Sequence, residues 1–438
     1  MELNRREFIK NLSILLFSIC TSNCAKDPIT GEKVFSFLDK NDEIKIDKEN
    51  AKFQFSADYG KVQDIKLNSY IESVGIKLAK FSHRPDMPYS FRVVNAVYVN
   101  AYTFPAGSVA ITRGMIINLN SEAELAAVLG HEIGHVSARH TAKRMSKAVL
   151  ISGILTGLMI YLNVENNPFV PVVSSAASLG SSILLASYSR KDELQADALG
   201  LEYMINAGYS PEGMLELFNM LMSLEKDEPS LLEVMFSTHP MSEERYNNVK
   251  DIISKKYNNK REYVIGRERF MDNTASLRKI KEAIMLLQKA AKFMSSNKYV
   301  ESKKYIKKAL NIAPDDYVGL VFMAICNYHL NSYDEALKYT NLAEDVYPDE
   351  GQAHFLKGLI LIKLEKYEES LKSFDKYNEI LPGNPEILFY KGYCFDKMGR
   401  YDEAINYYLS YLKKVDRGEN ADYARKRLQY LRYKKIFS

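Results

Sequence analysis

His131, Glu132 and His135 form the pattern His-Glu-x-x-His inside the segment Ala127–His140 of this 438-residue chain. On a helix, residues i and i+4 lie one turn apart on the same face, so both imidazoles leave together. That spacing lets two ring nitrogens reach one Zn²⁺ at roughly 2.0–2.1 Å. Glu132, beside the first histidine, can take a proton from water held at such a metal instead of binding the metal itself. Five residues with three fixed also recur in unrelated chains, where they are an amphipathic helix with two surface histidines. The elements around the pattern decide between these readings.

Asn120-Ser121 followed by Glu124 is a helix start, and the alanine- and leucine-rich run Glu122–Leu129 has helical composition. A catalytic zinc takes three protein ligands and keeps one position for water. The elongated pattern with a glycine three residues and a histidine six residues after the second ligand is excluded, because those positions are Ala138 and Thr141. His140 is five residues beyond His135 and would leave another side of a continuing helix, so it reads as a helix-end or supporting residue. Further on, Glu193 and Asp197 stand four apart in Ser189–Gly200 and project two carboxylates from one helix face. One could bind metal and the other could accept a hydrogen bond from a ligand histidine; a solvated acidic face is the alternative.

Upstream, Lys61–Phe81 has the apolar spacing of a helix, and the β-branched and aromatic run Tyr89–Val99 predicts a strand. Asn100–Gly107 breaks it, and Val109–Thr112 follows as a second strand. Pro105 places this pair at a sheet edge or bulge. An edge strand beside a metal site could hold an extended peptide by β-augmentation, or the hairpin could simply pack under the helix. Asp27–Gly31 is a turn cluster, and the polar stretch from there to Asn50 predicts a tether with little core.

The first residues read as an export signal. Asn4–Lys10 is a positive segment ahead of an apolar run, Leu12–Cys20, too short to span a membrane. Arg5-Arg6 with Phe8-Ile9-Lys10 is similar to the twin-arginine motif, and fits an ordinary secretory signal equally. Thr21–Cys24 resembles a lipoprotein cleavage box, although Thr21 is not aliphatic and Asn23 precedes the cysteine. A lipidated Cys24 would anchor the chain to a membrane surface; otherwise it is part of the discarded signal. The apolar runs 148–162 and 169–188 predict helices around the site: the first is below the ~20 residues a spanning helix needs, and Pro171 and Gly180 interrupt the second. The formal net charge of +4 gives no case for nucleic acid as a partner. Cys20, Cys24, Cys326 and Cys394 make no C-x-x-C pair, which argues against a cysteine-rich metal site or a disulfide framework.

His131-Glu-Ile-Gly-His135 with Val136, Arg139 and His140, then Glu193-Leu-Gln-Ala-Asp197, resembles metallopeptidase family forty-eight of the gluzincins. This family includes the Ste-type prenyl endopeptidases, HtpX, Oma and BepA. The resemblance implies a zinc site in which His131, His135 and Glu193 are ligands, Glu132 is the general base and Asp197 holds a ligand histidine. Asn100-Ala101 with Pro105–Gly107 and Thr112–Gly114 resembles the family's substrate-binding edge segment, with Ala106 replacing one glycine. Thr238-His239-Pro240 with Arg245 resembles an element of the BepA-like members that faces the zinc. It implies that His239 either fills the open coordination position at rest or stabilises the oxyanion alongside Arg245. Asp27–Gly31 after Cys24 is similar to lipoprotein members.

The C-terminal part repeats with a period of 34 residues: Tyr299, Tyr333, Tyr367 and Tyr401, and likewise Pro314, Pro348 and Pro382. This looks like four tetratricopeptide repeats, beginning near Ala283, Tyr317, Gly351 and Pro385. Cys326 and Cys394 fall at equivalent repeat positions and are packing residues. The expected fold is mainly α. A signal peptide with lipobox (1–24) precedes an α+β zincin-like protease domain with a small edge-stranded sheet (25–265). A linker (266–282), an all-α repeat solenoid (283–418) and a capping helix (419–438) follow.

The expected function is that of a zinc endopeptidase in protein quality control, with one Zn²⁺ per chain. It would be exported, periplasm-facing and lipid-anchored to the cell envelope, at the outer membrane rather than the inner. Its substrates would be misfolded or stalled envelope or outer-membrane polypeptides recruited by the repeats, which also take protein partners. The rival readings are a periplasmic assembly scaffold with rare, gated proteolysis and a prenyl-protein processing enzyme. The repeat array and the lack of several long spans argue against the last.

Overall fold

The computed structural model describes residues 24–36, 38–146, 187–257 and 262–437. The expected signal peptide up to residue 23, and the apolar runs apart from residues 187–188, lie outside the described residues. Among the described residues no helix is long and apolar enough to cross a membrane. Two compact units form: one holds residues up to Ala51, Val62–Val94 and Tyr98–Ser276; the other holds Lys52–Lys61, Asn95–Val97 and Leu277–Ser438.

The first unit begins with an antiparallel ribbon, β1 (Cys24–Lys26) and β2 (Lys33–Phe35). Helix α1 (Lys40–Ala57) follows. This overturns the expected tether, and the reason is charge pairing: Glu43 and Asp47 are buried because each has partners waiting. Glu43 takes Arg84 and, at 2.7 Å, Nε of Arg139, while Asp47 accepts the backbone N–H of Ala106 at 2.8 Å. Helix α2 (Ile65–Ala79) starts at Asp64, whose carboxylate accepts the Leu67 N–H.

Three strands come next: β3 (Ser90–Val94), β4 (Ala101–Thr103) and β5 (Ser108–Thr112), in the order β3-β5-β4. The strand expected to run to Val99 stops at Val94, and β4 lies inside the expected break. Thr112 accounts for this, since its N–H and its hydroxyl both donate to the Asn100 carbonyl and draw the following residues alongside β5. Pro105 sits in the turn, so its missing N–H costs the ladder nothing. Gly107 in that turn has φ 94°, and a Cβ there would fall 2.4 Å from the Tyr89 ring.

After the one-turn helix α3 (Arg113–Ile116) comes α4 (Glu122–Ser137), capped by Ser121 as its sequence predicts. Helix α5 (Arg190–Asn206) opens with a reciprocal Ser189–Asp192 capping box. These two helices lie backbone to backbone. A Cβ on Gly134 would stand 2.8 Å from the Ala196 carbonyl oxygen, and one on Gly200 would stand 2.7 Å from the His131 nitrogen. Helices α6 (Glu212–Asp227), α7 (Glu233–Thr238) and α8 (Glu243–Lys256) close this face. Residues 266–282, expected as a linker, contain α9 (Arg267–Asn273) and α10 (Ala275–Lys279), with Phe270 fully buried against Tyr70.

The second unit is a stack of helical hairpins. The pairs are α11 (Lys281–Ser295) with α12 (Tyr299–Ile312) and α13 (Tyr317–His329) with α14 (Tyr333–Val346). Then come α15 (Gly351–Lys363) with α16 (Tyr367–Ile380), α17 (Glu386–Lys397) with α18 (Tyr401–Leu412), and the terminal α19 (Glu419–Phe437). Ala309 and Ala343 are fully buried at equivalent places, as are Ala336 and Ala404, and Cys326 and Cys394 are buried free thiols. Residues 52–61 and 95–97 fell within the expected protease domain, yet they complete this unit. The Tyr59 ring meets Phe322 edge-on at 5.6 Å, and Gln288 donates to the Val97 carbonyl at 2.7 Å.

The α4–α5 contact gives a direct test. Gly200→Ala adds a methyl against backbone, where nothing can rotate away, and should cost about 1–3 kcal/mol in urea unfolding. Wild-type stability in that variant would contradict the packing described.

Candidate metal centre

Three elements bring the site together. Helix α4 contributes His131, Glu132 and His135 from its last two turns, α5 contributes Glu193 and Asp197 from its first two, and the residue ending α7 is His239. Because α4 and α5 touch through glycine, Glu193 reaches the histidine face without crossing a layer of side chains. His131, His135, Glu193 and His239 each offer a donor atom, and these atoms lie within 4.8 Å of one another. All four residues are buried.

The distances between donors test whether a metal suits them. His131 Nε2 lies 3.0 Å from His135 Nε2 and 3.3 Å from His239 Nδ1. Glu193 Oε1 lies 3.4 Å from His135 Nε2 and 3.2 Å from His239 Nδ1, and Oε2 lies 3.6 Å from His131 Nε2. A tetrahedral ion with bonds near 2.0–2.1 Å separates its donors by roughly 3.3 Å, so the spacing fits. The donor chemistry fits as well. The Nδ1–H of His131 donates to Asp197 Oδ1 at 2.8 Å, because a carboxylate can only accept. That leaves a lone pair on Nε2 facing the other donors.

Two carboxylates this deeply buried need compensating charge. Arg245 supplies it: Nε and Nη2 each lie 2.7 Å from an oxygen of Asp197, and Nη1 lies 2.7 Å from Glu193 Oε2 and 3.1 Å from the Pro240 carbonyl. Burial raises the Asp197 pKa, but the Arg245 charge and hydrogen bonds outweigh it and hold the carboxyl below its ordinary range. Burial likewise opposes ionisation of Glu193, and the facing His239 and His131 overcome it, so this group is held far below the ordinary range. Glu132 is different. Desolvation dominates there and pushes its carboxyl up, as suits a proton acceptor. Its Oε2 has no hydrogen-bond partner among the described residues, and Oε1 lies 3.9 Å from His239 Nε2.

The remaining expected residues fall nearby. Ala101, at the start of edge strand β4, lines the cleft with His131, Glu132, His239 and Arg245. Asn100 is buried with its side-chain oxygen unpartnered among the described residues, and its backbone is taken by Thr112. Arg245 was expected as an oxyanion donor, yet its guanidinium is committed to Asp197, Glu193 and Pro240. Tyr188 is a neighbour that the sequence does not single out, whereas His140 stands as the helix-end, supporting residue expected. Tyr188 stacks on the His135 ring at 3.8 Å and donates its backbone N–H to Thr238. His140 does not continue α4: the helix ends at Ser137, Arg139 takes φ 57°, and the chain doubles back so that His140 meets His135. No glycine marks that turn, so the sequence carries no signal for it.

Residues 66–253 match the family model described as Peptidase family M48, and residues 328–385 and 386–416 match tetratricopeptide repeat models. A putative beta-barrel assembly-enhancing protease of Vibrio cholerae is 29% identical over 194 residues, 42% of this chain and 38% of that protein. The mitochondrial metalloendopeptidase OMA1 of Arabidopsis thaliana is 33% identical over 167 residues, 38% of this chain and 32% of its own length. The chain thus spans about a third of the length of these relatives. Among solved structures, MamA 41-end from Desulfovibrio magneticus RS-1 aligns at a TM-score of 0.33 with 16% identity, over 35% of this chain and 86% of that one.

Asp197→Asn keeps the shape and removes the charge facing Arg245. Breaking a buried pair in this way should lower stability by about 3–5 kcal/mol in urea unfolding of the metal-free protein. Arg190→Ala, in an exposed pair with Glu244, should change it by less than about 1 kcal/mol.

Proposed function

We propose that this chain, which carries a Peptidase family M48 domain ahead of tetratricopeptide repeats, is a zinc-dependent endopeptidase of the bacterial cell envelope. The observation that carries this reading is the convergence of His131, His135 and Glu193 on one point beside Glu132, whose Oε2 has no hydrogen-bond partner among the described residues.

In this reading His131, His135 and Glu193 hold one Zn²⁺. When bound, the ion supplies Lewis acidity and lowers the pKa of water toward 7. Glu132 takes the proton of the attacking water at its free carboxylate oxygen and delivers it to the leaving amine. Asp197 fixes the His131 ring through Nδ1, and Arg245 holds both carboxylates in place. Edge strand β4, which starts at Ala101, offers backbone groups to an extended substrate, and Asn100 just before it offers its side-chain oxygen. His239 stands among the ligand atoms, which supports its reading as a cover over the open position that must withdraw before a peptide binds. That contact favours tightly gated proteolysis, and with it the scaffold reading as the second possibility.

The substrates are misfolded or stalled envelope polypeptides, recruited with other protein partners by the repeats at 283–418. The catalytic region lies within 25–265, and 266–282 joins it to the repeats. The chain is exported and periplasm-facing, anchored through lipidated Cys24 at the outer membrane. Support comes from the leader-like N-terminus and from relatives whose names describe β-barrel assembly enhancement.

Glu132→Gln should keep one zinc per chain and cut hydrolysis of an unfolded polypeptide by about 10²–10⁴-fold. His239→Ala should raise hydrolysis above wild type if His239 is a cover. Full activity of Glu132→Gln would sink the proposed chemistry; normal envelope assembly supported by that inactive variant would favour the scaffold.

A further inference from the structure

His131 has an evident partner behind it, the carboxylate of Asp197. Among the described residues no hydrogen bond or ion pair joins a carboxylate to the outer nitrogen of His135. Its Nδ1 instead lies 2.9 Å from Nδ1 of His140, and Nε2 of His140 lies 3.0 Å from the side-chain oxygen of Gln195 and 3.4 Å from Asp192 Oδ1. Resting on the zinc reading, we infer that His140, backed by Gln195, is the positioning residue that sets the tautomer and ring orientation of His135.

The hydrogen bonds run in one direction. A carboxylate oxygen and an amide oxygen can only accept, so His140 Nε2 carries its hydrogen and donates to Gln195 and Asp192. A neutral imidazole protonated at Nε2 has a lone pair at Nδ1. His135 must therefore donate its own Nδ1–H to His140, which leaves the Nε2 lone pair of His135 facing Glu193 and His131. That is the tautomer a metal ligand needs. The asymmetry with His131 follows from charge. The site already buries Glu132, Glu193 and Asp197, and Arg245 is the cation bonded to two of them. A neutral acceptor behind His135 orients the ring without burying a fourth negative charge.

The fold is arranged to deliver this contact. The left-handed turn at Arg139 folds His140 back against α4, and Arg139 is held there by Glu43 and by the Leu38 carbonyl. Tyr188 stacks on the His135 ring while its hydroxyl lies 3.0 Å from Oγ1 of Thr141, so one side chain packs on the ring and bonds the residue next to His140. Helix α5 thus presents Glu193, Gln195 and Asp197 within five residues, one toward the donors and one behind each histidine's partner or ring.

The test measures zinc affinity, by competition with a chromophoric chelator, for wild type and three full-length variants whose folding is verified by circular dichroism. Asparagine places its Oδ1 where His140 Nδ1 stands; glutamine places its amide where Nε2 stands and offers no acceptor to His135. His140→Asn should bind zinc within about threefold of wild type. His140→Gln and His140→Leu should bind roughly 10–100-fold more weakly. If His140 only filled space, glutamine, the closer match in volume, would be the tolerated residue and asparagine the weak one, and that order overturns the inference. Wild-type affinity in His140→Leu would overturn it too. If wild type itself fails to bind zinc, the endopeptidase reading falls together with this one.

Discussion

The close approach of α4 and α5 is the constraint on which the rest of the first unit depends. Helix axes are ordinarily 8–10 Å apart, separated by interdigitating side chains. Here Gly134 and Gly200 remove those side chains, and the backbone of each helix rests on the other. The consequence is geometric. Glu193 is a short side chain, and it meets two imidazoles four residues apart only because its helix starts at backbone contact with theirs. A larger residue at either glycine would move the carboxylate outward and undo the donor spacing without altering a single candidate ligand.

That proximity creates an electrostatic problem which the neighbouring elements solve. Carboxylates and imidazoles buried together are unfavourable unless each is paired. Arg245, arriving from α8, bridges the two α5 carboxylates and its own loop. On the far side, Glu43 of α1 bonds Arg84 and Arg139 and so fixes the turn that closes α4. Buried arginine–carboxylate contacts thus hold the start of α5 on one side and the turn after α4 on the other, while Glu132 keeps a carboxylate oxygen without a hydrogen-bond partner among the described residues. A buried acceptor without a donor is costly, and its place beside the donor cluster is what the proposed proton-accepting role of Glu132 rests on.

Much of this was legible from residue types and spacing. The histidine pair and its glutamate, the Ser121 cap and the 34-residue repeat follow from local periodicity, and each repeat packs only on its neighbours, so period alone predicts the stack. The assignment of Glu193 over Asp197 as the ligand came from family resemblance, because spacing treats the two alike. Other features were hidden for physical reasons. Helix α1 looks like a polar tether because the partners that bury Glu43 and Asp47 lie dozens of residues away. Strand β4 is three residues long and exists through pairing with β5, not through its own propensity. The turn at Arg139 uses a non-glycine residue in left-handed conformation, so His140 could not be placed against His135 by counting along a helix.

The central claim is that His131, His135 and Glu193 are the ligands of one zinc ion. It is tested most directly by a crystal structure of the zinc-loaded protein with anomalous data collected on both sides of the zinc absorption edge. The account predicts one strong peak about 2.0–2.2 Å from His131 Nε2, His135 Nε2 and a Glu193 oxygen, with Asp197 and Glu132 outside bonding distance. A peak elsewhere, or one bound by Asp197 in place of Glu193, would contradict it.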